Sequence, residues 1–183
     1  WNRDQFKGSQ LSGKTVGIIG YGRIGRMLAV ILHHLGAIIY FCDIENELDP
    51  GVGRQINMAR LLEISDIISI NMSYEEKNLN LISTHEIYKM KKGVLICNTA
   101  RGEIIDEAAV YMGLVNGIIG GYASDVLQNE NEKNFSEESP IKRALSEQFN
   151  VVLTPHIGGC TVEAMQFTEK VISEHFIRVM KNV

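Results

Sequence analysis

Three glycines and one aspartate in this chain are placed to hold a phosphate-bearing ligand. Gly20, Gly22 and Gly25 form a G-x-G-x-x-G array, and Asp43 follows at the end of the next apolar run. The chemistry of such a set is binding rather than bond-making. Gly20 permits a tight turn, Gly22 brings no side chain against a pyrophosphate, and Gly25 lets a helix pack closely on a strand. The N–H groups at the helix start then meet the phosphates. A carboxylate at position 43 accepts hydrogen bonds from both ribose hydroxyls and repels the extra phosphate of NADP. The array is therefore read as a dinucleotide fingerprint for NAD. No Ser/His or Cys/His arrangement suggests a nucleophile, and no CxxC pair or His/Cys cluster suggests a metal.

The elements that must position these residues alternate. Apolar runs predict strands near 14–19, 37–42, 66–70, 93–98, 119–125 and 150–154. Helical patterns lie near 23–35, 56–64, 83–90, 106–115 and 161–181. Ile24, Leu28, Ile31 and Leu35 stripe the first helix, and Met165, Ile172, Phe176 and Val179 share a face of the last. Ser83-x-x-Glu86 is a capping box, Asp106 and Thr161 are N-caps, and Gly117 is a C′ glycine. Strand–helix–strand repetition requires right-handed crossovers. The expected fold is α/β, a Rossmann-type doubly wound parallel sheet, with ligands at the carboxyl ends of the strands. The segment from Gln128 to Ser139, rich in Asn, Glu and Ser, reads as an exposed loop.

Composition adds bounds. A chain of 183 residues can bury a core without disulfides. A net charge of −4 gives no electrostatic case for nucleic acid or a membrane surface. The three cysteines, Cys42, Cys97 and Cys160, are scattered and unpaired in pattern. With no signal peptide and no membrane-length apolar run, a cytoplasmic location is expected. A chain that opens on Trp1 reads as a fragment or a processed product.

Three strand-end loops carry reactive side chains. They are Asn98-Thr99-Ala100-Arg101-Gly102, Ser124-Asp125-Val126 running on to Glu130, and Thr154-Pro155-His156-Ile157-Gly158-Gly159. With the glycine array, they make the whole chain resemble the NAD-binding domain of the D-isomer-specific 2-hydroxyacid dehydrogenases. The resemblance implies Arg101, Glu130 and His156 as catalytic residues. It implies Arg23 and Ile24 at the pyrophosphate, beside Gly20, Gly22 and Gly25, and Asp43 at the adenosine ribose. Thr99, Ala100 and Arg101 should lie by the nicotinamide half, and Asp125 near the carboxamide. The loops at Met72 and at His156 to Gly159 should also touch NAD. Residues 1–183 then form one coenzyme domain, and the substrate domain is missing from this chain. Relatives pair through this domain, so a homodimer is expected, with apolar Trp1 and Phe6 available to it. Where the family often has His-x-Pro and a proline after the acid, this chain has Asn71-Met72-Ser73 and Asn131.

The implied reaction interconverts a 2-keto acid and a D-2-hydroxy acid by hydride transfer. A protonated imidazole can give the carbonyl oxygen its proton. A carboxylate beside it fixes the ring and favours the charged form. A guanidinium holds the substrate carboxylate and carbonyl and stabilises developing charge. D-lactate, glycerate, 3-phosphoglycerate and glyoxylate-type substrates remain open. Glu130 speaks against a formate-type member, where the family has glutamine. An NAD-sensing module of co-repressor type is the alternative, and an adenosylhomocysteine hydrolase type fits the loop motifs poorly.

Overall fold

β1 (Thr15–Ile19) is apolar on both faces, as a central parallel strand must be. Val16 and Ile18 join Ile39 and Phe41 of β2 (Ile38–Cys42) and Ala29 of α1 (Arg23–His34) in one buried cluster. Ile19 belongs to the other layer, with Leu61 and Leu62 of α2 (Met58–Ile64) and Ile68 and Ile70 of β4 (Ile67–Ile70). The computed structural model describes residues 2, 4, 7–45, 51–131 and 139–181. Trp1, Phe6, Glu132, Glu137 and Glu138 lie outside the described residues.

The remaining strands and α-helices are β3 (Arg54–Gln55), α3 (Thr84–Ile87), β5 (Val94–Asn98), α4 (Glu107–Val115), β6 (Ile119–Ser124), α5 (Pro140–Ser146), β7 (Val151–Leu153) and α6 (Val162–Met180). Every neighbouring pair is parallel, in the order β3-β2-β1-β4-β5-β6-β7. This is the Rossmann-type doubly wound sheet. The order reverses between β1 and β4, where the outgoing chains diverge and leave a crevice. Register keeps the other strand ends level: Ile70 pairs with Asn98, Asn98 with Ser124, and Ser124 with Leu153. The loops that follow β5, β6 and β7 therefore leave the sheet side by side.

Most expected elements are present, with the capping box at Ser83 and Glu86 and the N-caps at Asp106 and Thr161 formed. β3 and α5 are additions. β3 has too few residues to show a period. α5 begins with Ser139 as N-cap and Pro140 in its first turn, directly after the polar segment that hides it. That segment is not a free loop where it is described. Gln128 is half-buried, and the Glu130 side chain is 19% exposed.

The apolar stripe of α1 does not face the core. Ile24, Ile31 and Leu35 are 66%, 56% and 57% exposed, while Gly25 and Ala29 are buried. The reason is distance. A Cβ at Gly25 would come within 2.2 Å of the Gly20 carbonyl oxygen, so only small residues fit between α1 and β1. Leu28 is half-buried and Leu32 packs at the edge of the core, while Ile24, Met27, Val30, Ile31 and Leu35 turn outward. α6 goes further, with no buried residue along its length and with Met165, Ile172, Phe176 and Val179 all exposed.

Candidate active site

The nucleotide crevice is built from backbone. Gly20 follows β1 with φ +89°, a conformation that other residues rarely adopt, and a Cβ there would strike the Met72 nitrogen at 2.6 Å. The glycine turn and the Met72 loop after β4 thus touch directly. A Cβ at Gly22 would meet nothing within 4 Å, so this residue faces open space. Gly22 is also the N-cap of α1 and offers no side-chain cap. The N–H groups of Arg23, Ile24 and Gly25 have no partner within the helix, as in every first turn, and are available to an anion. Arg23 and Ile24 are exposed. Asp43, just beyond β2, accepts from the Tyr21 N–H at 2.6 Å and from the Glu45 N–H at 3.1 Å. The carboxylate is thereby fixed beside the glycine turn, where a ribose would lie. The residues present fit a dinucleotide.

The second half of the site is built from side-chain networks. Asn98, fully buried at the end of β5, donates to the Arg101 carbonyl at 2.9 Å and accepts from the Ala100 N–H at 3.0 Å. This closes the loop that carries exposed Thr99, buried Ala100 and exposed Arg101. The Arg101 guanidinium donates to the Ala100 carbonyl at 2.6 Å. Gly102 must be glycine, because a Cβ would sit 2.1 Å from the Leu127 carbonyl carbon. The Arg101 loop therefore lies against the loop that carries Glu130.

Asp125 directly follows β6 and is 8% exposed. One oxygen accepts from the Thr154 hydroxyl and from the Ile157 N–H at 2.9 Å; the other accepts from the Gly158 N–H at 2.7 Å. Its own carbonyl accepts from the His156 N–H at 2.8 Å. Burial works to raise this carboxyl, but the Thr154, Ile157 and Gly158 donors and nearby His156 hold it below its ordinary value. The group anchors the histidine loop. That support matters because His156 has φ +53°, the left-handed region, which costs energy for a residue with a Cβ. Gly158 and Gly159 continue the loop and are exposed.

The His156 ring meets Glu130 through Nδ1, across the β6 and β7 loops. The other Glu130 oxygen accepts from the Leu127 N–H at 3.2 Å. Arg101, Glu130 and His156 are thus delivered by adjacent loops at the carboxyl edge. Asn98, Glu107, Gln128 and Thr154 support them, and the sequence alone assigns them no role. Asn98 carries a signal in being an amide at the end of an apolar strand. Glu107 is hidden because an acid in a first helical turn reads as a dipole partner. Among the described residues, no group of His, Cys, Asp and Glu could hold a metal.

A parallel sheet with a glycine turn at its switch point and level loops beyond it defines a dinucleotide-binding domain. The family model for the D-isomer specific 2-hydroxyacid dehydrogenase NAD-binding domain matches residues 1–158. The chain belongs to this family, whose cofactor is NAD. It is 36% identical over its whole length to D-3-phosphoglycerate dehydrogenase of Haemophilus influenzae, and spans 44% of that protein. It is 38% identical to the Escherichia coli D-3-phosphoglycerate dehydrogenase over 91% of its length, and spans 40% of that protein. The solved structure of D-2-hydroxyisocaproate dehydrogenase superposes with a TM-score of 0.90 at 27% identity, covering 98% of this chain and 56% of the other.

Proposed function

We propose that this chain is the coenzyme domain of an NAD-dependent enzyme that interconverts a 2-keto acid and a D-2-hydroxy acid. The observation that carries the reading is the contact of His156 Nδ1 with Glu130 at the carboxyl edge of the sheet. The retained pair favours an enzyme over an NAD-sensing module. Bound NAD supplies or accepts the hydride. With Nδ1 engaged by Glu130, His156 exchanges the substrate oxygen's proton at Nε2. Glu130 orients the ring. Arg101 holds the substrate carboxylate and the carbonyl oxygen. Asp43 takes the adenosine ribose, and the loop at Thr99 and Ala100 lies along the nicotinamide half. Asp125 reaches the carboxamide only with lone pairs its loop leaves over.

The phosphoglycerate dehydrogenase relatives make 3-phosphoglycerate the first substrate to try, ahead of lactate, glycerate and glyoxylate. The chain spans under half of those relatives, so the wall that selects the substrate side chain is proposed to come from a second domain. The test pairs two proteins. The 183-residue chain should bind NADH, measured by calorimetry, and reduce no 2-keto acid appreciably, because one wall cannot orient substrate. The protein carrying both domains should oxidise NADH with one acid of the panel. NADH binding without turnover by that larger protein would overturn the enzyme reading.

A second copy of the chain is the proposed partner for the outward face of α1. Ile24, Met27 and Ile31 lie on that face, each more than half exposed. Such a patch is expected at an interface. Sedimentation at micromolar concentration should give a dimer, and Met27→Lys with Ile31→Glu should give a monomer. A native monomer would overturn the pairing. The free thiols of Cys42, Cys97 and Cys160 suit the proposed cytoplasmic setting.

A further inference from the structure

Glu107 opens α4, where an acidic side chain ordinarily stays in water, yet the residue is only 3% exposed. Its two carboxylate oxygens have separate donors. One accepts from the Gln128 N–H at 2.7 Å and the other from the Ser139 hydroxyl at 2.9 Å. Burial pushes the Glu107 carboxyl up, and the nearby acids Glu103 and Asp106 add to this, against the pull of its two donors. The site holds an acid where an apolar residue would avoid that opposition.

What the carboxylate holds is the turn between Leu127 and Glu130. The Gln128 side chain tethers the same turn, donating to Asn80 Oδ1 at 2.8 Å and to the Ile105 carbonyl at 3.0 Å. Asn129 within it has φ +56°, a left-handed turn conformation that asparagine adopts readily. The turn ends at Glu130, the residue that meets His156. No other part of the fold presses on Gln128 through a charged group in the contacts described.

We infer that Glu107 is a positioning residue for the His156–Glu130 pair: it pins the turn at Gln128 so that Glu130 arrives at His156 Nδ1. This rests on the reading of that pair as the working acid–base unit. Glu107 touches neither substrate nor cofactor. It acts through the Gln128 backbone N–H. A glutamine at 107 could still accept from that N–H and donate to the Ser139 hydroxyl, but as a neutral acceptor it holds the turn less firmly.

The test reads the His156 ring by nitrogen-15 NMR in the present chain, together with exchange of the Gln128 amide. The native ring should sit in the Nδ1–H tautomer when neutral. Glu130→Ala should release it. Glu107→Gln should speed Gln128 exchange roughly tenfold, as for exchanging a charged acceptor for a neutral one. It should also move the His156 spectrum toward that of Glu130→Ala. Glu107→Asp keeps the charge but shortens the reach, so it should move both readouts the same way by less, and it serves if the glutamine variant does not fold. A His156 spectrum unchanged in both Glu107 variants, while Glu130→Ala moves it, would overturn the positioning role and leave the pair standing. No movement in any variant, Glu130→Ala included, would overturn the pair and the anchor together.

Discussion

The two halves of the carboxyl edge solve the same problem, holding loops still at the ends of strands, by opposite means. Around β1 and β2 the work is done by absent side chains: Gly25 admits the helix, Gly20 admits the Met72 loop, and Gly22 leaves room. Around β5 to β7 it is done by present ones. Asn98, Asp125 and Glu107 are buried polar groups, each accepting or donating at least two hydrogen bonds to loop atoms. The difference follows from what each half is proposed to do. A pyrophosphate is recognised by backbone N–H groups, so side chains must stay out. Proton transfer needs side chains at set distances from one another, so they must be braced.

The comparison breaks hardest at the chemical half. In the protein carrying both domains, His156→Ala and Arg101→Ala should each lower turnover about a hundredfold or more. NADH affinity should change far less, because neither side chain belongs to the glycine crevice. The check is steady-state rates beside a calorimetric NADH titration of each variant. Equal losses in both measurements would mean the two halves are not separable as described.

At the nucleotide half, two alanine substitutions in one motif should part company. Gly25→Ala drives a Cβ into the Gly20 carbonyl, a backbone atom that cannot swing away. It should destabilise the fold by about 1–3 kcal/mol and weaken NAD binding as the turn shifts. Gly22→Ala meets open space. Its melting curve should match the parent, while NAD affinity alone falls as the methyl group faces the pyrophosphate. Denaturant unfolding and cofactor titration on both variants separate these outcomes. A Gly22→Ala protein as unstable as Gly25→Ala would contradict the roles given to the two glycines.

This contrast also explains what could be read from the sequence. The glycine half is local: its three glycines fall within six positions, and their spacing states the geometry directly. Strand runs, caps and the parallel order were legible for the same reason, since each depends on near neighbours. The bracing of the chemical half is not local. Asp125 reaches Gly158 across 33 positions and Glu107 reaches Ser139 across 32. Loop motifs point to Arg101 and His156, while only its spacing from Asp125 picks Glu130 from its acidic neighbours. Its half-buried contact with His156 supports that choice. The outward stripe of α1 misleads for a different reason. Periodicity reports that a helix has an apolar face and is silent on what covers it.

A smaller effect is expected at Asp43, which sharpens the boundary between the halves. Its carboxylate is held by the Tyr21 and Glu45 N–H groups beside the glycine turn. NAD should bind in preference to NADP, since a 2′-phosphate would meet like charge. Asp43→Ala should narrow the preference mainly by weakening NAD, by about tenfold. Calorimetry with both cofactors decides it, and native binding of NADP as tight as NAD would contradict the assignment.

The smallest expected effect is a pH dependence confined to the histidine loop. Asp125 is held below its ordinary value in the folded chain by the Thr154 hydroxyl and the Ile157 and Gly158 N–H groups, which outweigh burial. A carboxyl with a depressed folded value contributes stability that is fully present above its unfolded value, near 4. The contribution is lost as pH falls through the lower folded value. An amide in place of this carboxylate would keep one accepting oxygen and lose the ionisation. Asp125→Asn should therefore melt below the parent by roughly a few degrees near neutral pH, and the gap should shrink as pH drops below about 4. Asp66, Glu86 and Glu147 are also depressed, so both proteins lose stability in acid and only the difference between their curves isolates Asp125. Amide exchange supplies the location: Ile157 and Gly158 should open faster in the variant, while Arg23 and Ile24 in the glycine crevice should not. A gap that stays constant from neutral pH into acid would mean that Asp125 braces the loop by shape alone, without its charge.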